Sequence, residues 1–279
     1  MYDLCRMALQ IASLNSGSNG NAYYIGNQTD AILVDAGLSC RETEKRMLSL
    51  GLAIQKVKAV FISHEHSDHI KGLEILSKKY SLPVYISRGT YQNSRLNLDS
   101  ARLQWLDAAN PVNIAGLSVQ AFGKKHDAAD PYSFTIQHSN TTVGVFTDIG
   151  ICCDNLIQHF KKCHAAFLES NYDEEMLEKG RYPYVLKQRI RGGHGHLSNK
   201  QALDIFIKHR PAFMTHLLLS HLSRDNNDPQ LALDMFKPYA KQTKVVVASR
   251  YEASELFFVS NSSSKNMVQA RPMQMTLFA

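Results

Sequence analysis

Three histidines and two carboxylates lie within six consecutive residues of this chain, from His64 to His69. The cluster directly follows the apolar run 57–62, which is typical of a buried β-strand. Neutral imidazole nitrogens and carboxylate oxygens suit divalent first-row metal ions. We therefore predict a metal site at the end of this strand, in preference to an accidental histidine-rich surface turn. The candidate ligands within the cluster are His64, His66, Asp68 and His69.

Other β-rich stretches of the chain also end in a histidine or an acid. Helical stretches lie between them, of which 199–210 and 229–240 are the clearest. One αβ domain with two packed sheets and outer helices is the simplest architecture for this order. Polar groups at strand ends collect at the edge of a sheet, so we expect them near the histidine cluster. These further candidates are Asp35, His126, Asp148 and His221.

The remaining pattern predicts short strands and one turn-rich loop. The loop 15–21 is dense in Asn, Ser and Gly but lacks the Lys-Ser/Thr pair of a P-loop and a following helix. We interpret it as a tight turn near the site.

We also predict a helix over 42–50, with Gly51 after its end, and another that ends at Tyr80. The predicted strands are 8–14, 22–26, 31–35, 57–62, 83–86, 117–122, 133–136, 143–146, 165–168, 217–219 and, closing the regular structure, 245–247.

Composition restricts the class of protein. The 279 residues are 44% apolar and 20% charged, as in ordinary globular proteins. Five cysteines without a C-x-x-C pair favour a reducing compartment. We find neither a signal-peptide pattern nor a run of eighteen apolar residues, so we expect a cytoplasmic protein without a membrane-spanning helix. The net charge of +6 is consistent with a polyanionic partner.

The motif H-x-H-x-D-H after a strand, with acids and histidines following in the order given above, resembles the metallo-β-lactamase fold. The resemblance covers roughly residues 8–259. It implies an α/β (α+β) fold, arranged as a four-layer αβ/βα sandwich. We accordingly expect a domain over 1–259 and a flexible tail over 260–279.

Four local strings resemble one branch of that superfamily, the WalJ/YycJ-type proteins. These are small relatives of RNase J and RNase Z that are taken to be exonucleases. RNase J-type enzymes insert a β-CASP domain between the positions of Asp148 and His196, and the segment here is too short for one. The resemblance therefore implies an open site that accepts single strands or frayed ends. The four strings occupy residues 16–21, 35–39, 195–199 and 219–223.

The resemblance also assigns roles to the candidate ligands of two divalent ions, Zn or Mn. One ion would be held by His64, His66 and His126. The other would be held by Asp68, His69 and His221, with Asp148 bridging. Two such ions activate water and stabilise an in-line phosphoryl displacement. Asp35 would orient a ligand imidazole or a backbone turn from behind.

His196 lies outside both ligand sets and needs another role. In the RNase-type relatives a matching histidine acts on the scissile phosphate, so His196, with Asp68, is a candidate catalytic residue that would bind phosphate or donate a proton. The alternative is that Ser198 caps the next helix and His196 is a bystander. A basic stretch precedes it, and we interpret this stretch as a phosphate grip, although a solvated helix face explains it almost as well. Its residues are Lys187, Arg189 and Arg191, with Tyr182 and Tyr184 interleaved.

The C-terminus carries a separate signal. A polar stretch, 261–266, precedes Gln274, Leu277 and Phe278, which resemble the Gln-x-x-Leu-Phe peptide that docks bacterial replication proteins on the sliding clamp. A frayed tail, or a tail folded onto its own domain, is the alternative.

Taken together, these features predict a dinuclear metal-dependent phosphodiesterase acting on DNA ends (or RNA ends), specifically a 5′-to-3′ DNA exonuclease. The competing hypothesis is a small-molecule hydrolase of the same fold: a lactonase, thioesterase or cyclic phosphodiesterase. A narrow pocket closed by the segment 170–195 would favour that alternative. An interaction module that has lost catalysis is disfavoured, because no ligand is missing.

Overall fold

The computed structural model describes residues 8–261 of the chain. Two seven-stranded sheets pack face to face at the centre of the fold. In spatial order the first sheet consists of Phe257–Val259 (β14), Leu9–Asn15 (β1), Ala22–Gly26 (β2), Ala31–Val34 (β3), Val57–Phe61 (β4), Val84–Ile86 (β5) and Leu103–Trp105 (β6). The second consists of Lys244–Val247 (β13), His216–Ser220 (β12), Ala165–Glu169 (β11), Thr141–Phe146 (β10), Tyr132–His138 (β9), Leu117–Gly123 (β8) and Val112–Ile114 (β7).

Both sheets combine antiparallel and parallel pairing. Strands β3 to β6 run parallel in the first sheet, and β10 to β13 run parallel in the second. All other neighbours are antiparallel. Because parallel strands end at the same edge, residues that follow β3, β4, β10, β11 and β12 are brought to two facing edges.

Helices connect the parallel strands and cover the outer faces of the sheets. Ser39 caps the first helix by accepting from the backbone N–H of Glu42, and Ser198 forms a capping box with Gln201 at the start of another. The α-helices are Cys40–Ser49 (α1), Ser67–Ile70 (α2), Leu73–Tyr80 (α3), Arg88–Asn93 (α4), Asp154–Phe160 (α5), Glu174–Lys179 (α6), Tyr184–Arg191 (α7), Asn199–His209 (α8) and Pro229–Phe236 (α9), and short 3₁₀ turns occupy Ile54–Lys56 and Lys237–Tyr239.

Three layers of buried side chains hold this arrangement together. Between the sheets, Phe61 meets Phe134 edge-on, with ring centroids 5.9 Å apart. Met47 is buried between the first sheet and its helices. Phe160 and Phe206 are buried between the second sheet and its helices. Three apolar layers between four layers of secondary structure are the predicted αβ/βα sandwich, and no further domain is inserted within residues 8–261.

The structure also corrects the sequence prediction in places. The regular structure does not close at 245–247, since Phe257–Val259 returns to pair antiparallel with β1. Four short helices, α4 to α7, were not predicted. Among residues 8–261, every helix is too short or too polar to span a membrane.

Two partly buried histidines make stability depend on pH. Burial, with a smaller contribution from Lys162, lowers the pKa of His159 to about 4, and burial lowers the pKa of His216 likewise to about 4. Since the unfolded chain binds these protons near pH 6.5, their contribution to stability is complete above that pH and is lost as pH falls towards 4. We expect the free energy of unfolding to drop between pH 7 and pH 5.

The measurement is urea unfolding of the wild type and the double variant His159→Gln/His216→Gln at both pH values. The double variant should be less stable at pH 7, since His159 stacks on Phe122, yet show a smaller drop on acidification. An equal drop in both proteins would contradict the assignment.

Candidate functional site

Ionisable side chains follow the ends of parallel strands in both sheets. Asp35 comes directly after β3, Asp148 lies two residues beyond β10, and His221 comes directly after β12. All three have a left-handed backbone, with φ of 63°, 56° and 58°. Such a conformation is sparsely populated and costs free energy, and it persists where surrounding contacts hold it. The sharp turn at each strand end directs these side chains to one place between the sheets.

The first group of ligand atoms joins the histidine cluster to His126. His64 Nε2 lies 3.0 Å from His66 Nδ1. The ring of His126 is 4.9 Å from that of His64 and 5.2 Å from that of His66, centroid to centroid. One nitrogen from each of the three side chains lies within 4.8 Å of the others.

A second group lies beside the first and contains Asp68, His69 and His221. Asp68 Oδ2 is 3.5 Å from His69 Nε2 and 3.6 Å from His221 Nε2. Asp148 lies between the two groups: its Oδ2 is 3.3 Å from His69 Nε2 and its Oδ1 is 3.8 Å from His126 Nε2. The structure therefore brings all seven predicted ligands into one cluster.

Hydrogen bonds from behind determine which nitrogen of each imidazole carries the proton. His126 Nδ1 lies 3.0 Å from the carbonyl oxygen of Gly195, which can only accept, so Nδ1 is the donor. His69 Nδ1 donates to Asp35 Oδ2 at 2.8 Å. In both rings Nε2 is then the nitrogen that faces the cluster, as a metal ligand requires.

Asp35 and Ser63 form a buried support beneath the first sheet's ligands. Asp35 Oδ1 accepts from the backbone N–H of Ser63 at 2.8 Å, and Oδ2 accepts from the Ser63 hydroxyl at 2.9 Å. That hydroxyl is also 2.9 Å from His64 Nδ1. Asp35 thus contacts a ligand imidazole and the backbone turn that carries the cluster, and it is fully buried.

Glu169, the last residue of β11, supports the second sheet's ligands. Its Oε1 lies 2.9 Å from His196 Nδ1 and 3.0 Å from His221 Nδ1. It also accepts from the backbone N–H groups of Asp148, Ile149 and Leu197 at 2.7–3.2 Å. Two carboxylate oxygens offer about four lone-pair sites, so this carboxylate is saturated by its donors and orients other residues.

The surrounding charges act differently on the two groups of histidines. Burial lowers the pKa of His64 well below its ordinary value and lowers that of His126 to about 4. Burial also opposes protonation of His69 and His221, but Asp148 and the neighbouring carboxylates outweigh it. These carboxylates raise the pKa of His69 well above its ordinary value and that of His221 to about 10. Negative charge is thus concentrated around Asp148, where a cation would compensate it.

Three buried atoms test whether the cluster suits a metal ion. His126 Nε2, Asp148 Oδ2 and His221 Nε2 make no hydrogen bond within residues 8–261. Buried polar atoms nearly always have a partner, so three such atoms in one cluster point to a missing one. Their nitrogen and carboxylate lone pairs fit a divalent cation. In the described part of the chain, no group of three or more potential ligands includes His138, His159, His164, His194, His209 or His216.

A close backbone contact holds the Asp68 turn in place. A Cβ on Gly37 would lie 1.7 Å from the carbonyl oxygen of Asp68, which itself accepts from the backbone N–H of Asn21 at 2.7 Å. We expect Gly37→Ala to push this turn away, destabilise the protein by roughly 1–3 kcal/mol as overpacking does, and weaken metal binding. Gly123→Ala is the matched control, because its Cβ would meet nothing within 4 Å. Urea unfolding and metal content measure both variants, and equal values for the two would contradict the prediction.

A cleft of about 260 Å³ gives access to the cluster. His196 lies in its lining, with its ring 5.3 Å from that of His126 and 5.2 Å from that of His221. Ser198 does cap α8, but His196 is more than a bystander because Glu169 holds it at the cluster. The other lining residues are Ser18, His66, Asp68, Asp127, Asp148, Asn171, Tyr182, Leu186, Arg189, Ile190, Gly195, His221, Leu222 and Ser223.

Only part of the predicted basic grip, the stretch with Lys187, Arg189 and Arg191, lies at this cleft. Arg189 lies in the lining, where it forms an ion pair with Asp127. Arg191 instead pairs with Glu178 at 2.6 Å, and Lys187 donates to the Glu178 carbonyl oxygen. The structure therefore brings one of the three residues to the cluster and engages all three with neighbouring groups.

Sequence reasoning missed several residues that contact the ligands. Asn21 Nδ2 lies 3.1 Å from both Asp68 Oδ2 and His69 Nε2. Buried Lys124 donates to the Thr147 carbonyl oxygen at 2.6 Å, just before Asp148. Glu169 had the same signal as the chosen acids, an acidic residue at the end of a predicted strand. The tail residues Gln274, Leu277 and Phe278 lie outside the described residues.

Comparison with known proteins agrees with this fold. A family model described as "Beta-lactamase superfamily domain" matches residues 30–221. The exodeoxyribonuclease YycJ of Bacillus anthracis is 37% identical over 229 residues, covering 81% of this chain and 87% of the relative. The exodeoxyribonuclease WalJ of Streptococcus pneumoniae is 30% identical over 234 residues, covering 82% and 87%.

A solved structure shares the fold. The metallo-β-lactamase fold protein YhfI from Bacillus subtilis superposes with a TM-score of 0.68 at 16% identity, covering 88% of this chain and 99% of that one. The chain is a hydrolase of the β-lactamase superfamily, and it belongs to the family of the exodeoxyribonucleases YycJ and WalJ.

Proposed function

We propose that this chain is a dinuclear metal-dependent phosphodiesterase that degrades DNA from its ends, in the 5′-to-3′ direction. The observation that carries the proposal is the pair of ligand groups in one cleft, with Asp148 between them. The names of the relatives at 37% and 30% identity, both exodeoxyribonucleases, support nucleic acid as the substrate.

In this proposal His64, His66 and His126 would hold one ion, Zn or Mn. Asp68, His69 and His221 would hold the second, and Asp148, which lies between the two groups, would contribute to both. Bound there, such ions activate water and stabilise the charge that develops on a phosphodiester. Asp35 and Glu169 keep the ligand imidazoles in the tautomer that leaves a lone pair for the ion.

His196 is the proposed acid of the reaction. Its Nδ1 donates to the buried carboxylate of Glu169 at 2.9 Å, while its side chain is 22% exposed to the cleft. The other ring nitrogen is then available to contact a phosphate oxygen or to give a proton to the leaving oxygen. The carboxylate would fix the orientation of the ring.

The cleft dimensions favour the end of a strand over the middle of a duplex. A volume of about 260 Å³ is near the lower end of ordinary ligand sites, which span roughly 300–1,000 Å³. It suits one terminal nucleotide, with the rest of the strand running over the surface.

The size of the cleft also fits a second candidate function. Segment 170–195 contributes one wall of the cleft through residues such as Tyr182 and Ile190. A small-molecule hydrolase, such as a lactonase, thioesterase or cyclic phosphodiesterase, would also use a cleft of this size. Comparing turnover of such esters with turnover of oligonucleotides separates the two functions.

The deciding experiment incubates the purified protein, loaded with Zn²⁺ or Mn²⁺, with end-labelled single- and double-stranded DNA and RNA. Labels on the 5′ and on the 3′ end reveal the direction of degradation. Asp68→Ala, which removes a proposed ligand, is the control. We expect stepwise shortening of DNA by the wild type and none by Asp68→Ala; equal activity in both would refute the mechanism.

We further propose that residues 260–279 act as a tail beyond the domain of residues 1–259. Gln274, Leu277 and Phe278 would dock in the hydrophobic pocket of a bacterial sliding clamp. Binding of a peptide of residues 270–279 to the clamp of the source bacterium measures this. A peptide without measurable affinity for the clamp would refute this proposal.

A further inference from the structure

An arginine that the metal cluster does not use lies beneath the rim of the cleft. Arg250 lies three residues beyond β13, close to the strand ends that carry the cluster. Its Nη2 lies 3.2 Å from the hydroxyl of Ser18, a residue of the cleft lining. Its Nη1 is buried and makes no hydrogen bond within residues 8–261.

The charge of Arg250 also differs from that of the other basic residues near the cleft. Arg189 and Arg191 are each neutralised by a carboxylate, Asp127 and Glu178 respectively. Arg250 has no carboxylate within ion-pair distance among residues 8–261, and its only side-chain hydrogen bond there goes to a neutral hydroxyl. A half-buried guanidinium without an anion is costly unless a ligand supplies one.

The backbone around Arg250 is firmly held, so this placement is built into the fold. Its carbonyl oxygen accepts from Asn19 Nδ2 at 2.8 Å, and the backbone N–H of Ser16 donates to the Ser249 carbonyl oxygen at 3.1 Å. Ser16 in turn accepts from the backbone N–H of His221 at 2.7 Å. The loop that carries Ser18 is thus tied both to Arg250 and to the metal cluster.

Two serines, Ser18 and Ser223, contribute hydroxyl groups to the lining of the cleft. Ser18 Oγ accepts from Arg250, which leaves its own proton to donate. Ser223 Oγ accepts from the backbone N–H of Asn226 at 3.2 Å, and Ser223 also lines the cleft. Ser223 follows His221 by two residues, so their Cα atoms are within roughly 7 Å, which is comparable to one nucleotide step along a strand.

The neighbouring aromatic residue, Tyr182, does not offer a hydrogen-bond donor to a phosphate here. Tyr182 Oη donates to Asp225 Oδ2 at 2.9 Å, so its proton is already committed. Asp225 is exposed, and its carboxylate accepts the hydrogen bond from Tyr182. An anion bound here must therefore gain more from Arg250 than it loses to Asp225.

We propose that Ser18, Ser223 and Arg250 form a phosphate-binding subsite for a second phosphate of the strand, beside the phosphodiester at the metal cluster. The inference rests on the proposed function and deepens it, because it states how the enzyme would grip a polymer instead of a small ester. The Ser18 hydroxyl donates to a phosphate oxygen, the Ser223 hydroxyl does so when it turns away from Tyr182, and the guanidinium neutralises the phosphate charge from behind.

The test measures binding of the full-length, metal-loaded protein to a short single strand with phosphorothioate linkages, which suppress cleavage. Fluorescence anisotropy is followed over a range of salt concentrations. Arg250→Gln should bind roughly tenfold more weakly, as expected for loss of a charge-assisted hydrogen bond. The slope of log K against log salt should shrink by about 0.7, the value for one phosphate contact on a single strand. Arg41→Gln, an exposed change of equal charge on α1, should keep the wild-type slope.

A second series locates the phosphate. Strands that each carry one neutral methylphosphonate linkage are compared on wild type and Arg250→Gln. A methylphosphonate at one position of the strand should weaken binding by the wild type. The same strand should bind Arg250→Gln as tightly as the unmodified strand does. In Ser223→Ala the loss of affinity caused by that methylphosphonate should be smaller than in the wild type.

Three outcomes overturn the subsite: an unchanged salt slope in Arg250→Gln, a position effect that survives in this variant, or loss of bound metal from it. The first two outcomes can occur with exonuclease activity intact in the variant, and the third leaves the activity of the wild type untouched. If the protein shows the position effect but degrades no strand in the presence of metal, the subsite is supported and the proposed exonuclease function is refuted.

Discussion

Asp148→Asn is expected to abolish hydrolysis and to lower the metal content of the protein from the proposed two ions to at most one. The Asp148 carboxylate lies between the two ligand groups, 3.3 Å from His69 Nε2 and 3.8 Å from His126 Nε2. Asn has almost the same size, so the core stays filled, but it offers one neutral oxygen in place of two anionic ones. Loss of several kcal/mol of charge stabilisation in the reaction corresponds to a rate lower by roughly 10³-fold or more.

Metal analysis by mass spectrometry and degradation of a labelled strand measure the two effects on the same sample. Asp204→Asn is the matched control, because Asp204 forms only an exposed pair with Lys208 on α8. The control should keep its metal and its activity. A variant at position 148 with two ions, or with activity within tenfold of the wild type, would show that this residue does not bridge.

The fold and the ligand positions could be predicted because their signals are local. The strand before His64 and the cluster itself are contiguous in the sequence. Asp35, Asp148 and His221 each stand at the end of an apolar run, and parallel strands bring such ends together whatever the details of packing. The left-handed backbone at these three residues was not predictable, since it reflects turns that tertiary contacts hold.

The missed features depend on contacts between distant segments. Strand β14 is only three residues long and pairs with β1, almost the whole chain away, so no local pattern marks it. The basic grip was predicted from its charge, its interleaved tyrosines and its position before His196, but Glu178 and Asp127 neutralise most of it. Arg250 had no sequence signal, because its significance arises from the loop around Ser18 that covers it.

The role of Glu169 also became visible only in three dimensions. Its carboxylate touches residues from three segments: the turn at Asp148, the loop at His196 and the end of β12 at His221. Burial opposes ionisation of Glu169, but the charge interaction with His196 and the hydrogen bonds from His196 and His221 outweigh it and lower the pKa of Glu169 to about 2, so it stays ionised at neutral pH. Its contribution to stability is therefore present above the unfolded pKa near 4.3 and is lost as pH falls towards 2.

Glu169→Gln is expected to cut activity by roughly 10- to 100-fold, the usual cost of losing a residue that orients metal ligands. The amide has one acceptor oxygen, and its NH₂ group would face a donor such as the Ile149 backbone N–H, which lies 2.7 Å from Oε2. At least one buried donor is left without an acceptor, so stability should fall by about 1–3 kcal/mol.

Turnover separates orientation of the His196 imidazole from a purely structural effect. If Glu169 holds the ring in place through Nδ1, turnover by the variant should stay low at temperatures where the variant is fully folded. Glu252→Gln, an exposed change of equal charge, should keep the turnover of the wild type. A variant at 169 with lowered Tm but wild-type turnover below its melting range would show that Glu169 supports the fold alone.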